Sequence, residues 1–153
     1  MLYRGTDCNE WTNKGVHKRI DKRGPTVVLM KIKQTGRRFG GFTSVSWDSP
    51  SNTGHKYDEY AFLFSLDLKT HYPVINKNYA IFCGDNEGIC FSSDMATGKE
   101  PFNEWNSGCI TSSSCSKYNI PYDKVNKIEH PLTGLKDHLS TLSELEVYQL
   151  VIQ

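Results

Sequence analysis

The sequence predicts an α+β fold that is mainly β: two antiparallel sheets packed as a β-sandwich, with one or two flanking helices. Three observations carry this expectation. β-forming runs are short and recur with turn residues between them, two of the runs stand at hairpin spacing, and helical periodicity is confined to one stretch near the N-terminus.

The helical stretch is Asn9 to Ile20, with Thr12 as its candidate N-cap and Trp11, Val16 and Ile20 as a ragged apolar stripe. Gly15 weakens it, and Gly24 with Pro25 ends whatever helix forms. Thr26 to Ile32 is nearly all apolar, the pattern of a strand buried on both faces. Gln34 to Arg37 reads as a hairpin turn, Gly36 being free to take positive φ. The next run, Phe39 to Trp47, is then an antiparallel neighbour. Phe39, Gly41, Thr43, Val45 and Trp47 share its more apolar, inward parity, and Gly40 and Phe42 share the other. Further strands are expected at Tyr60 to Leu66, Tyr79 to Cys83, Gly88 to Ser92, Gly108 to Ser112 and Glu144 to Ile152. The polar stretches Asp48 to Asp58 and Met95 to Asn106 read as long loops, where recognition surfaces usually sit.

Composition narrows the function classes. The chain has 153 residues, 37% hydrophobic and 23% charged, which suits one globular domain over residues 1–153 rather than a disordered chain. A formal net charge of +1 supplies no global field for nucleic acid. The N-terminus has no apolar signal region, and no run of apolar residues is long enough to span a bilayer. Five cysteines, an odd number without C-x-x-C spacing, lead us to expect free thiols in a reducing compartment. The histidines stand singly, so neither a metal nor any other cofactor is expected.

Candidate site residues follow from charge and parity. Lys14, Lys18, Arg19, Lys22 and Arg23 crowd into ten residues, opposed within that segment only by Asp21. Such a cluster is either a solvated helix face or a site for an acidic partner or lipid headgroup. With Asp48, the first residue of the loop after Trp47, these form the candidate partner-binding set. Reversing the charges of Lys18 and Arg19 should then weaken a partner and leave the melting temperature nearly unchanged. Glu144 and Glu146 share one face of the last strand. Paired carboxylates can do acid–base chemistry, but a half-buried Glu146 more often pins a strand through a cation or backbone amides. Cys83, beside Gly84 and Asp85 at a strand end, is either a nucleophile or a buried structural thiol. The pair Gly40-Gly41 reads as close packing against an aromatic ring rather than a ligand approach. None of the G-x-S-x-G, H-E-x-x-H, G-x-x-x-x-G-K-[ST] or G-x-G-x-x-G spacings occurs.

Four blocks in order resemble the TLDc domain family. They are Lys22-Arg23-Gly24-Pro25-Thr26 leading to Phe39-Gly40-Gly41-Phe42-Thr43-Ser44-Val45-Ser46-Trp47, then Ala61-Phe62-Leu63-Phe64-Ser65-Leu66 with Asp58 before it, then Leu132-Thr133-Gly134, and finally Glu144-Leu145-Glu146-Val147-Tyr148. The segment Gly88 to Met95 departs from the family pattern by carrying serines where glycines are expected, and Trp11 stands in for an anchor missing around Thr6 to Cys8. The resemblance implies a β-sandwich of two antiparallel sheets. It also implies association with oxidative-stress resistance and with the vacuolar-type proton-pumping ATPase, with no catalytic activity firmly tied to the domain. Gly24, Gly40, Gly41, Phe42, Trp47, Phe62, Phe64 and Glu146 then become structural determinants that shape the strands. The resulting expectation is a non-enzymatic, cytoplasmic protein-binding domain, acting at the cytosolic face of endomembranes on pump subunits or docking into a cytoskeletal or ciliary assembly.

Overall fold

The structure is a computed structural model and describes residues 1–48, 54–84, 86–104, 108–111, 116–121 and 129–151. Its elements in order are β1 (Tyr3–Arg4), α1 (Gly5–Cys8), α2 (Asn13–Ile20), β2 (Thr26–Ile32), β3 (Arg38–Thr43), β4 (Gly54–Lys56), β5 (Phe62–Ser65), β6 (Thr70–Pro73), β7 (Ile81–Cys83), β8 (Cys90–Phe91), β9 (Met95–Thr97), β10 (Cys109–Thr111), β11 (Leu139–Ser140) and β12 (Leu142–Gln149). All named strand pairs are antiparallel. The mainly β fold with minor helices is therefore the one the sequence predicts.

One layer is a six-stranded sheet in the order β1-β12-β2-β3-β5-β6. The second comes in two pieces, a four-stranded sheet β11-β10-β9-β8 and a ribbon of β4 and β7, with β7 lying against β8. Register places Tyr3, Val147, Val28, Gly41, Leu63 and Tyr72 in one row across the first sheet, and all six are buried. Phe91 of β8 packs onto this row from the other layer, its ring atoms 2.6–2.8 Å from where a Cβ on Gly41 would stand. Trp47 meets Phe91 edge-on at 5.5 Å between centroids, is fully buried, and donates its indole N–H to Thr26 Oγ1 at 2.9 Å. The glycine between two strands thus makes room for an aromatic ring that joins the layers.

The helix expected from Asn9 to Ile20 is the shorter α2, Asn13–Ile20, and α1 precedes it where no helix was expected. Asn9 adopts the left-handed conformation (φ 52°) that closes α1, and Thr12 starts α2 by accepting the Gly15 N–H at 3.0 Å. Asparagine tolerates that conformation, and a capping threonine competes with continuation of a helix through itself. β2 has the predicted ends, but it is covered on one face only. Thr26, Val28, Met30 and Ile32 are buried, whereas Val27 and Leu29 are half-buried and Lys31 is exposed. Gly36 takes φ +73° in the β2–β3 turn, and Gly24, at φ +71°, gives its N–H to Ser46 Oγ at 2.8 Å. Trp47 lies beyond β3, held by a bridge to Asp21 rather than inside a strand. β1, β4, β6, β9 and β11 fall where no strand was expected, β4 and β9 inside the two predicted loops. Ser112 and Ile152, the far ends of two predicted strands, lie outside the described residues.

Candidate functional site

The basic segment runs from α2 into the turn that precedes β2. Lys14 and Lys18 are exposed on α2, one turn apart. Lys18 and Arg19 both reach Glu10, at 2.7 and 2.9 Å, and Arg19 also bonds the Gly15 carbonyl. Arg19 first and Lys18 second hold the Glu10 carboxyl down at about 2. Asp21 is therefore not the sole counter-charge of the segment. Reversing Lys18 and Arg19 would set three carboxylates together and remove both ion pairs of Glu10, so these two positions do not separate binding from stability cleanly. Lys22, Arg23 and Lys14 are the cations of this segment left exposed toward solvent without an ion pair among the described residues.

The same segment meets the loop after β3. Lys22 gives its N–H to the Trp47 carbonyl at 2.9 Å, alongside the Gly24–Ser46 bond. Asp48 accepts from Lys56, whose ammonium also bonds the Ser46 carbonyl. The turn that carries Lys22 and Arg23 and the stretch Ser46–Trp47, singled out separately in the sequence, are thus bonded to each other. Residues 49–53 of that loop lie outside the described residues.

Other candidate groups serve internal bonds. Asp58 is buried and accepts from Thr43 Oγ1 (2.8 Å), the Ser44 N–H (2.7 Å), Ser44 Oγ (2.6 Å) and the Tyr60 N–H (3.0 Å), fixing the turn after β3 to the start of β5. Asp94, fully buried, accepts the N–H groups of Lys117 and Tyr118 at 3.0 and 2.8 Å, and burial pushes its carboxyl up. Glu146 takes the hydroxyl of Tyr148 and faces its register partner Arg4 at 3.6 Å, which ties β1 to β12. The contact with a cation on the neighbouring strand is of the kind that a strand-pinning role would use. Glu144, on the same face, accepts from Thr6 Oγ1 at 3.1 Å. His17 joins Asp21 and the Glu87 carbonyl, each at 2.6 Å, and so links the end of α2 to the turn before β8. His130 is buried, its proton affinity lowered to about 4 by that burial, and its Nδ1 accepts the Leu132 N–H within the Leu-Thr-Gly block.

Ser92 lies in the segment Gly88 to Met95, where serines stand at positions expected to be glycine. It adopts φ 52°, the conformation in which a glycine has no Cβ penalty, and its Oγ donates to the Tyr79 carbonyl. A side-chain bond thus accompanies the left-handed conformation of this serine.

Cys8, Cys83, Cys90 and Cys109 are free thiols, and Cys115 lies outside the described residues. Burial raises the Cys83 thiol and pushes Cys90 and Cys109 up to about 12. A nucleophilic cysteine needs its thiolate, so the geometry at Cys83 is that of a packed thiol. Cys8, half-buried, is the accessible one of the four. Timed alkylation of the native chain, read peptide by peptide, should modify Cys8 well before Cys83, Cys90 or Cys109. Early modification of Cys83 would contradict this assignment.

The outward face of the six-stranded sheet is a second surface, one that sequence reasoning passed over. Across it run Arg4, Glu146, Leu29, Gly40, Phe64 and His71 in one register row, with Val27, Phe42, Phe62 and Pro73 in the next. Phe42 and Phe62 stack at 5.2 Å and Phe62 meets Phe64 at 6.2 Å. The signal available beforehand was the shared parity of Leu29, Lys31, Arg38 and Leu66 on adjoining strands. No group of His, Cys, Asp and Glu side chains able to hold a metal ion occurs among the described residues.

A family model for the TLDc domain matches residues 2–151. The chain belongs to the TLDc domain family. No curated protein matches it. The four blocks quoted above are the framework of this TLDc fold: β3 and its following turn, β5, the His130–Leu135 turn and β12. No helix among the described residues is long and apolar enough to cross a membrane.

Proposed function

We propose that this TLDc domain, spanning residues 1–153 as one unit, works by binding other proteins rather than by catalysis. In this reading it is a regulator of the vacuolar-type proton-pumping ATPase with a role in protection against oxidative stress, acting in the cytoplasm at the cytosolic face of endomembranes. Family membership over residues 2–151 supports the protein-binding role and is consistent with the pump association. The observation that supports the choice of surface is the bonding of Lys22 to Trp47 and of Gly24 to Ser46, on either side of Arg23, which leaves Lys22 and Arg23 exposed on a turn tied to the core. Asp58, Asp94 and Glu146 support a non-catalytic reading because each is committed to bonds that hold strands and turns together.

The test is recovery of partners with the tagged chain from its native cells. Pump subunits should be enriched, and the triple reversal Lys14→Glu, Lys22→Glu, Arg23→Glu should lower their recovery roughly tenfold and flatten its salt dependence. Because these three cations hold no ion pair among the described residues, the melting temperature should stay within about 2 °C. Enrichment of tubulin-associated proteins in place of pump subunits, or wild-type recovery by the triple variant, would overturn the reading.

A further inference from the structure

We propose that His17 is a proton-dependent clamp between α2 and the turn that leads into β8. The clamp belongs to the fold and stands whether or not the cations of α2 meet a partner. Asn13 and His17 lie one helical turn apart on α2 and grip successive carbonyls of that turn. Asn13 Nδ2 donates to the Asn86 carbonyl at 2.9 Å, and His17 Nε2 meets the Glu87 carbonyl at 2.6 Å. The fit is close, because a Cβ on Gly88 would lie 2.4 Å from Thr97 Oγ1 and 2.8 Å from Asn13 Oδ1. The other ring nitrogen of His17, Nδ1, meets an Asp21 carboxylate oxygen, also at 2.6 Å.

Both partners of the ring are acceptors. A neutral imidazole has one N–H, so it satisfies one of them and turns a lone pair on the other; only the imidazolium donates to both. His17 is buried, and a buried cation needs a counter-charge, which Asp21 supplies. The ring also stands in the last turn of α2, where the helix dipole favours positive charge. Of the other cations on α2, Lys18 and Arg19 are engaged with Glu10, and Lys14 is exposed. Asp21 also acts on the Cys83 thiol, which burial raises and which feels the paired Asp48 and Lys56. The Glu87 side chain is half-buried. When the second proton leaves, the Asp21 carboxylate keeps the N–H at Nδ1, and the Nε2 lone pair is left facing the Glu87 carbonyl, where two acceptors repel. The contact with the turn is therefore the one that opens, and it loosens the helix that leads into Lys22 and Arg23.

The unfolded chain gives up this proton near the ordinary imidazole value of about 6.5, whereas the folded chain has two acceptors that retain it. The clamp is thus closed below that pH and opens as pH rises above it. The probe is the full chain, isotope-labelled. At about pH 6 both ring nitrogens of His17 should show imidazolium resonances, and at about pH 8 Nε2 should show that of a nitrogen without a proton. Hydrogen-exchange protection of the Glu87 and Thr97 amides, corrected for intrinsic rates, should fall about tenfold between those two conditions relative to amides of β2. His17→Gln keeps an amide donor that does not titrate, so it should flatten this dependence, and Asp21→Asn should move the opening to lower pH. If His17→Gln does not fold, the ring resonances and Asp21→Asn decide the matter. A neutral His17 ring at about pH 6, native pH dependence in a folded His17→Gln chain, or an opening unmoved by Asp21→Asn would overturn the proposal.

Discussion

Replacing Trp47 with alanine lowers the stability of this domain by about 3–5 kcal/mol, the loss typical of a large ring removed from a packed core. At about 2–4 °C per kcal/mol for a chain of this size, the melting temperature falls by roughly 6–20 °C. The ring is fully buried, edge-on to Phe91 at 5.5 Å, and its indole N–H satisfies Thr26 Oγ1. Two contributions are separable. Trp47→Phe keeps most of the ring contact and removes the hydrogen bond, so it should cost about 1–3 kcal/mol, the range for a buried polar group left without its partner. Lys69, an exposed residue, should cost less than about 0.5 kcal/mol on substitution by alanine. Urea unfolding of the three variants checks the order. Equal midpoints for Trp47→Ala and Lys69→Ala would show that Trp47 does not join the layers.

Much of this arrangement was legible in the chain because it rests on local rules. The alternation from Phe39 to Trp47 names the buried parity, Gly36 marks the hairpin, and Thr12 marks the start of α2; each is decided within a few residues. What the sequence hid depends on distant pairings. β4, β6, β9 and β11 are two to four residues long, too short for an alternation to show, so only their partners make them strands. The half-open face of β2 was hidden for the same reason. Val27 and Leu29 look like core in sequence, and only the missing cover over one side of the sheet, among the described residues, leaves them half-buried. The basic segment was visible as a cluster, but Glu10, four residues upstream of it, decides which of its cations remain exposed for a partner.

The two adjacent glycines of β3 should fail for different reasons, and the difference tests the packing model at single-atom scale. Gly41→Ala places a Cβ about 2.6 Å from the tip of the Phe91 ring, an overpacking that costs about 1–3 kcal/mol. The obstacle is a side chain, so it can be trimmed. Phe91→Leu removes the ring atoms that the new methyl meets, and the double variant should be more stable than the sum of the single costs allows, by about 0.5–3 kcal/mol of coupling. Gly40→Ala meets the Val28 carbonyl oxygen at 1.7 Å as well as Phe64 at 2.9 Å. Trimming Phe64 to leucine leaves the carbonyl where it is, and relief requires β2 and β3 to part along the register that pairs Leu29 with Gly40. Gly40→Ala should therefore cost about 3 kcal/mol or more, above the usual overpacking range, and Phe64→Leu should not rescue it. Chemical unfolding of the six variants gives both cycles. Rescue of Gly40→Ala by Phe64→Leu, or no coupling between Gly41 and Phe91, would mean that side chains and backbone divide this contact differently from the arrangement described.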